Sequence, residues 1–551
     1  MSGESDRYEV IFIGSGINSL AGAALLANAG RRVLVLEREN RLGGAIWTAE
    51  ITEPGFVHEV LASWHPLFVG SAAYAELADD LHALGVEYLN TELPTGSLDP
   101  EGRAAFLTTS HERNVEELDR FAPGDGAAWE ATVNAFLPNA DLSFGVLTTE
   151  LWSRAGARLA TKAYRRLGRR GLVQFGGNVL VSARDWLAET FASPRTHGLL
   201  APWVLHTGLG PDAAVSGFMT QVIAVAVELG GMPVPKGGGV KLVEALAAIV
   251  RAGGGELETG RDVDRILVES GRATGIRTAD GRTVAAGTVV ANVTPTQLYG
   301  RLLADADVPG AAREAGSRFR YGRAEMQIHF ALDEAPRWEG DERLGRTAVL
   351  HLTPGLDGVS RAVNEAERGL LPAEATIVVG QPLAVDPSRA PEGKGILWIQ
   401  LQELPRRPTG DASAEIDVGD GTWTDNLKER YADRIQARIA RHVPNLESAL
   451  LKRAVLSPAD IERANVNLVG GDIYSGSCAL DQNLLWRPRP ALPGHRTPIA
   501  GVWHIGASTH PGPGLGAGSG TIVAHALLRE NRTRRTMSRL GGHLSRRTAP
   551  L

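Results

Sequence analysis

Tyr8-Glu9-Val10-Ile11-Phe12-Ile13-Gly14-Ser15-Gly16-Ile17-Asn18-Ser19 is the stretch whose reading decides the fold. Tyr8 to Ile13 reads as a buried strand, Ser19 to Ala29 as an Ala/Leu-rich helix, and Arg32 to Leu36 as a second short apolar strand. That is a βαβ unit with glycines at its first turn. Gly14 permits the tight turn and Gly16 lets the backbone approach a phosphate, while the helix N-terminus offers free N–H groups and a partial positive charge. Ser19 stands where the fingerprint has its third glycine. Glu37, at the end of the second strand, is placed to accept hydrogen bonds from a ribose diol, and its charge disfavours a 2′-phosphate. Gly14, Ser15, Gly16, Asn18, Ser19 and Glu37 therefore predict a Rossmann-like dinucleotide site.

Two distant regions share this texture. In Gly237 to Asn292, Val240 to Ala252 has helical periodicity, Glu256 to Thr259 and Val263 to Glu269 read as strands, and Val289 to Asn292 returns the chain to the sheet. Gly501 to Leu528 combines a short strand (Val502 to Ile505), a Gly/Pro loop and a helix. Between these regions lie two long insertions, the first helical in pattern, the second alternating strands with one helical stretch from Trp423 to His442. The expected fold class is α/β: a cofactor domain from residues 1–70, 236–300 and 455–528, with a mixed α+β substrate or lid domain from 71–235 and 301–454. Residues 529–551, with seven arginines, form a basic C-terminal tail.

Composition narrows the function classes. The 551 residues exceed a single small module, and 43% hydrophobic against 22% charged residues suits a folded, soluble protein. A formal charge of -6 gives no global attraction for nucleic acid. One cysteine, Cys478, can build neither an internal disulfide nor a thiolate metal cluster, so no metal is expected and redox chemistry must come from a bound cofactor. Met1 to Arg7 shows no secretory signal, which predicts a cytoplasmic setting.

Beyond Glu37 the chain continues Arg38-Glu39-Asn40-Arg41-Leu42-Gly43-Gly44-Ala45, where a second glycine turn would pass over the diphosphate with arginines nearby. This E-R-x(4)-G-G pattern resembles the flavin signature shared by amine oxidases and carotenoid desaturases. Pro54-Gly55-Phe56, Pro235-Lys236-Gly237-Gly238, Gly470-Gly471-Asp472, Asp481-Gln482, Arg487-Pro488 and Thr509-His510-Pro511-Gly512 resemble the phytoene-desaturase-like branch. That branch includes carotenoid desaturases, isomerases and ketolases. The resemblance implies FAD as cofactor, held also by Arg38, Gly43, Gly44 and Ala45. It further implies that Val263 meets the adenine through its backbone and that Gly506-Ala507-Ser508 passes the ribityl chain and diphosphate. Leu515-Gly516-Ala517 would approach the flavin pyrimidine edge. Two positions depart from the pattern: Ala507, where many members carry an acid, and Gly516-Ala517, where the branch often shows Pro-Gly.

The candidate acid/base groups are His65, His510 and Asp472, each with a structural alternative: a local hydrogen-bond partner for the histidines, a turn former for the aspartate. His329 reads as a core residue. The leading function is an FAD-dependent dehydrogenase, desaturase or oxidase acting on an apolar, carotenoid- or lipid-like small molecule, passing electrons to oxygen or a quinone. An amine or alcohol oxidase on a small soluble substrate uses the same frame, and a redox-silent flavin scaffold is the third reading. Ala213 to Val227, with Phe218, Met219 and the basic stretch Lys162 to Arg170, offers either a peripheral membrane-facing mouth or a buried helix beside a solvated basic one. The oligomeric state is left open.

Overall fold

A computed structural model of the chain describes residues 8–530. Its first sheet is wholly parallel, in the order Val502–Ile505, Val289–Asn292, Val10–Ile13, Val33–Leu36, Glu256–Glu258. Three separated stretches of chain thus supply neighbouring strands. The four-residue apolar runs suit strands covered on both faces. Val10, Phe12, Val33, Val35, Val290 and Ile505 pack under helices Ile17–Asn28, Val240–Ala252 and 518–530. Ile11, Ile13, Leu34, Leu36, Val289 and Val502 pack on the opposite face. There the cover is an antiparallel meander, Val263–Glu269, Arg272–Thr278 and Thr283–Ala285.

The second sheet has seven strands, in the order Leu450–Leu456, Ala324–Leu332, Gly395–Leu404, Ile377–Gly380, Val349–Leu352, Thr95–Leu98, Ala104–Leu107. One face carries Met326, Ile328, Phe330, Leu397, Ile399 and Leu401 against the helix Asp425–Ala440. The other is covered in part by helices Pro194–Leu200 and Ser216–Gly230.

Three expectations need correction. The limit at 454/455 cuts the strand Leu450–Leu456, whose pairing with Ala324–Leu332 makes it the edge of the second sheet. The limit at 300 cuts the turn Leu298–Leu302, and Leu302, Leu303, Val308 and Ala312 remain in the first sheet's core. The first insertion is helical but also lends Thr95–Leu98 and Ala104–Leu107 to the sheet. Of the two readings of Ala213 to Val227, the buried helix is the one found: Val222, Ala224, Val225 and Val227 of Ser216–Gly230 are core residues, and the buried Glu228 carboxylate accepts from Trp129 Nε1 (2.7 Å) and Asn114 Nδ2 (2.7 Å). Among the described residues, no helix is long and apolar enough to cross a membrane. The tail beyond Glu530 lies outside the described residues.

Candidate active site

The first glycine turn is built as its sequence requires. Gly14 has φ +86°, a conformation that glycine adopts without steric cost. The second turn lies directly over it: Gly16 bridges Gly43, and a Cβ on Gly44 would stand 3.0 Å from Gly16 Cα. Ser15 is the strut between them. Its N–H and hydroxyl donate to Glu37 Oε2 at 2.8 and 2.7 Å, and its Oγ accepts from Gly43 N at 3.1 Å. Glu37 is buried, and among the described residues Oε1 accepts from Glu39 N alone (2.9 Å), which leaves it capacity for a further donor. The chain entering Val263 abuts this acid, with Gly260 N donating to Glu39 O (2.9 Å) and Arg261 N to Glu37 O (2.7 Å). Arg38 is exposed and reaches Glu39 at 3.3 Å, whereas Arg41 donates to Gly44 O at 2.8 Å and lies over Trp47. Ala45 O accepts from Ala62 N at 3.2 Å.

Asn292 is the residue that the sequence reading did not single out. It ends the strand beside Val10–Ile13 and touches each of the converging turns. Its Nδ2 donates to Ser19 Oγ at 3.0 Å, its carbonyl lies 3.3 Å from where a Gly14 Cβ would be, and its Oδ1 2.4 Å from a Gly506 Cβ. Asn18 is likewise committed within the protein: Oδ1 accepts from Ser519 Oγ (2.8 Å) and Gly520 N (3.2 Å). The starts of helices Ile17–Asn28 and 518–530 are thereby held side by side. Two positive helix ends at one place suit a diphosphate and the negative charge that a reduced flavin develops.

Gly506 (φ +108°) opens the last loop, and Gly506 N donates to Ser519 Oγ at 2.9 Å. Arg487, wholly buried, donates to Ala507 O through Nε (2.9 Å) and Nη2 (2.7 Å) and to Tyr474 O (3.0 Å). Ser508 Oγ donates to Ser475 O at 2.7 Å. The loop 472–478 therefore braces the loop 506–508. Gly514 and Gly516, on either side of Leu515, lie beside Leu67, the Gly516 Cβ position being 3.4 Å from Leu67 O. Ala517 holds a left-handed φ of +55° just before the final helix.

The three acid/base candidates fare differently. Asp472 is a turn former: Oδ2 accepts from Gly322 N (2.7 Å) and Gly476 N (2.8 Å), Oδ1 from Tyr474 N (2.9 Å). Its carboxylate is spent on backbone, which corrects the catalytic assignment. His65 shares Nδ1 with Tyr88 OH at 3.1 Å, and its Nε2 has no partner among the described residues. Burial, with the Arg389 charge, drives its pKa down to about 3. His510 is buried with both ring nitrogens unpartnered among the described residues, and burial lowers its pKa to about 4. Its carbonyl accepts from His495 Nε2 at 2.7 Å, and His495 pairs through Nδ1 with Glu150.

Pro235-Lys236-Gly237-Gly238 has a structural explanation. Arg389, buried, donates to Glu59 Oε1 (2.8 Å), Asp386 Oδ2 (2.8 Å) and Pro235 O (2.8 Å). Gly239 N and Gly237 N close the network on Glu59 and Asp386, both at 2.7 Å. A Cβ on Gly238 would meet Thr48 at 2.5 Å. The motif thus fastens the second sheet's 386–389 segment to the cofactor half.

The family of flavin-containing amine oxidoreductases matches residues 20–449. The chain belongs to this family. Among flavin-containing amine oxidoreductases it is similar to the mouse (Mus musculus) pyridine nucleotide-disulfide oxidoreductase domain-containing protein 2, with 26% identity covering 95% of this chain and 94% of that one. It is 24% identical to a limonene dehydrogenase polypeptide of Castellaniella defragrans, covering 96% and 95%. It is also 24% identical to a lycopene-forming phytoene desaturase of Paracoccus sp., covering 94% and 96%. The fold matches an oxidoreductase from Methanosarcina mazei at TM-score 0.58 and 16% identity, covering 95% and 100%. The family assignment and these relatives place the chain in the carotenoid-desaturase-like branch, and it is an FAD-dependent oxidoreductase. The paired glycine turns, the Glu37 carboxylate and the two adjoining helix ends fit that cofactor's ribose, diphosphate and flavin.

Proposed function

We propose that this flavoenzyme dehydrogenates a largely apolar small molecule held between the two sheets. The observation that carries the reading is the aromatic lining beside the cofactor loops. Trp64 precedes Leu67, which lies against Gly514 and Gly516, and a Cβ on Gly380 would meet both Trp398 (2.9 Å) and Trp64 (3.3 Å). Trp203 packs on His206 and His351 next to them. Limonene dehydrogenase and phytoene desaturase, by their names, act on hydrocarbons of this kind. FAD, when bound, supplies the acceptor for the hydride or electron pair. The chain's own part is to hold the substrate against that acceptor and to exclude water, with Gly14, Gly16, Gly43, Gly44, Asn292 and Gly506 shaping the cradle. Residues 1–70, 236–300 and 455–528, extended as described above, serve as the cofactor domain, and the electrons leave to oxygen or a quinone.

Peripheral membrane contact belongs to the same reading, transferred to a different helix. Arg154–Leu180, broken into two helical stretches at Gly168 (φ +66°), carries Arg158, Lys162, Arg165 and Arg166 before the break and Arg169 and Arg170 after it, and exposes Tyr164, Val173 and Leu180 with Trp152 at its root. A basic face with exposed aromatic and aliphatic residues suits an anionic bilayer surface. The test is anaerobic mixing of the yellow holoenzyme with limonene or phytoene in detergent, following loss of the oxidised-flavin absorbance. Bleaching by such substrates supports the assignment, whereas bleaching by NADPH alone overturns its direction. Flotation with phosphatidylglycerol vesicles tests the membrane contact.

A further inference from the structure

The second sheet turns a polar face toward the cofactor half. Strand register sets two rows across it: Gln327, Gln400, Val378, His351, Ser97 in one, and His329, Trp398, Gly380, Val349, Thr95 in the next. Glu325, one alternation before Gln327, accepts from Gln400 Nε2 at 2.7 Å. Gln402 donates to Tyr474 OH at 3.0 Å, and Tyr474 OH donates to Leu205 O at 2.6 Å. These side chains are all but inaccessible: Gln327 is 1% exposed, Gln402 3%, Trp398 4%.

A buried polar atom without a partner costs free energy, and native proteins leave few of them. Yet they gather on this face. Gln327 Oε1 and Gln402 Oε1 are unpartnered acceptors, and Trp64 Nε1, Trp203 Nε1 and Trp398 Nε1 are unpartnered donors, all among the described residues. Gln327 and Trp398 stand on adjacent rows of paired strands, so an unpartnered acceptor and an unpartnered donor belong to the same face of the sheet. The site is continuous with the cofactor loop through Tyr474 and Arg487, as described above. On its other side lies a cleft of about 610 Å³ walled by Leu209, Ala213 and Trp486 and opening at Arg323. A Cβ on Gly208 in that wall would stand 3.1 Å from Tyr474 Cδ2.

We infer that the substrate is an apolar molecule bearing a hydroxyl group, whose O–H donates to the Gln327 or Gln402 amide oxygen and whose oxygen accepts from an indole N–H. The inference rests on the proposed oxidoreductase reading and names the substrate class of that site. A hydroxyl both donates and accepts, as the unpartnered set requires. An ammonium group fits less well. Burial raises Glu325 to a pKa of about 8, so it is mostly neutral at pH 7, and the Asp472 carboxylate is committed to three backbone N–H groups.

The experiment titrates oxidised holoenzyme with matched probes, limonene and perillyl alcohol, reading the flavin difference spectrum, in the wild type and in Gln327→Leu. The alcohol is expected to bind at least about tenfold tighter than the hydrocarbon, with the preference lost in Gln327→Leu. Melting of the ligand-free variant separates a ligand-directed amide from a structural one. Among the described residues Gln327 makes one long donor contact, Nε2 to Glu325 Oε2 at 3.4 Å, and its Oε1 is unpartnered, so its removal shifts the midpoint little, whereas removing a fully bonded structural amide lowers it strongly. Equal binding of the two probes, no perturbation by either, or a large fall in the midpoint of Gln327→Leu overturns the inference. Failure of the underlying reading is separately visible, since the preparation would be colourless before any probe is added.

Discussion

The cofactor half and the cofactor-facing side of the seven-stranded sheet are built on opposite plans. Around Gly14, Gly43 and Gly506 the polar side chains are matched within the protein: Ser15 to Glu37, Ser19 to Asn292, Asn18 to Ser519 and Gly520. What faces the cofactor there is backbone and two helix ends. Across the interface, Gln327, Gln402 and Trp398 are buried with atoms unmatched. The contrast teaches that the glycine turns close on protein partners and leave spare capacity at Glu37 Oε1, whereas the facing sheet keeps several buried amide and indole atoms unmatched among the described residues.

The largest expected effect comes from the network that joins the two halves. Arg389→Met strands the buried Glu59 and Asp386 carboxylates, and should cost about 3–5 kcal/mol in denaturant unfolding of the holoenzyme. A loss under about 1 kcal/mol would mean the halves are held elsewhere. Next comes Gly506→Val, which combines a forbidden φ of +108° with a Cβ 2.4 Å from Asn292 Oδ1. FAD retention on gel filtration should be abolished while the second sheet, probed by proteolysis, stays folded. Asn292→Ala removes one hydrogen bond and leaves Ser19 Oγ without it, so FAD should dissociate about tenfold more readily by fluorescence titration. If Gln327→Leu destabilised the protein as Asn292→Ala does, the contrast between the two regions would disappear.

A pH series sharpens the same comparison. Burial holds Glu325 near 8, against 4.5 ordinarily, so between those values the native state binds more protons than the unfolded chain. Its contribution to stability is full below about 4.5 and is lost as pH rises through about 8, with a slope of up to about 1.4 kcal/mol per pH unit. Substrate-free Glu325→Gln should flatten this decline in melting temperature between pH 5 and 8; an unchanged slope would assign it to other groups. The smallest effect is Ala517→Gly, which relieves a left-handed φ of +55° and should stabilise by up to about 1 kcal/mol in denaturant unfolding.

Legibility in the sequence follows the same division. Val240 to Ala252, Val263 to Glu269, Val289 to Asn292, Val502 to Ile505 and Ala324 to Leu332 occupy the strands and helix that their patterns predict. Asp472 was ambiguous because an acid after paired glycines suits a turn or a proton transfer, and only its three N–H donors decide. His329 read as a satisfied core residue. Its Nε2 does meet Val60 O at 3.2 Å, but its Nδ1 is unpartnered among the described residues and it sits on the polar face. Ala213 to Val227 was open between membrane and core because an uncharged run is the same string in both settings.

Local sequence alone determined the first glycine turn and the βαβ unit around it, since a turn at φ +86°, a helix start and a strand-ending acid are demands on neighbouring residues that glycine spacing records. Asn292 as the meeting point of three turns, Arg389 as the clasp between halves, and the alignment of Gln327, Gln400 and His351 were decided only by tertiary structure. Each depends on strands far apart in the chain settling into register, and shifting a strand by one residue would turn the opposite set of side chains toward the cofactor.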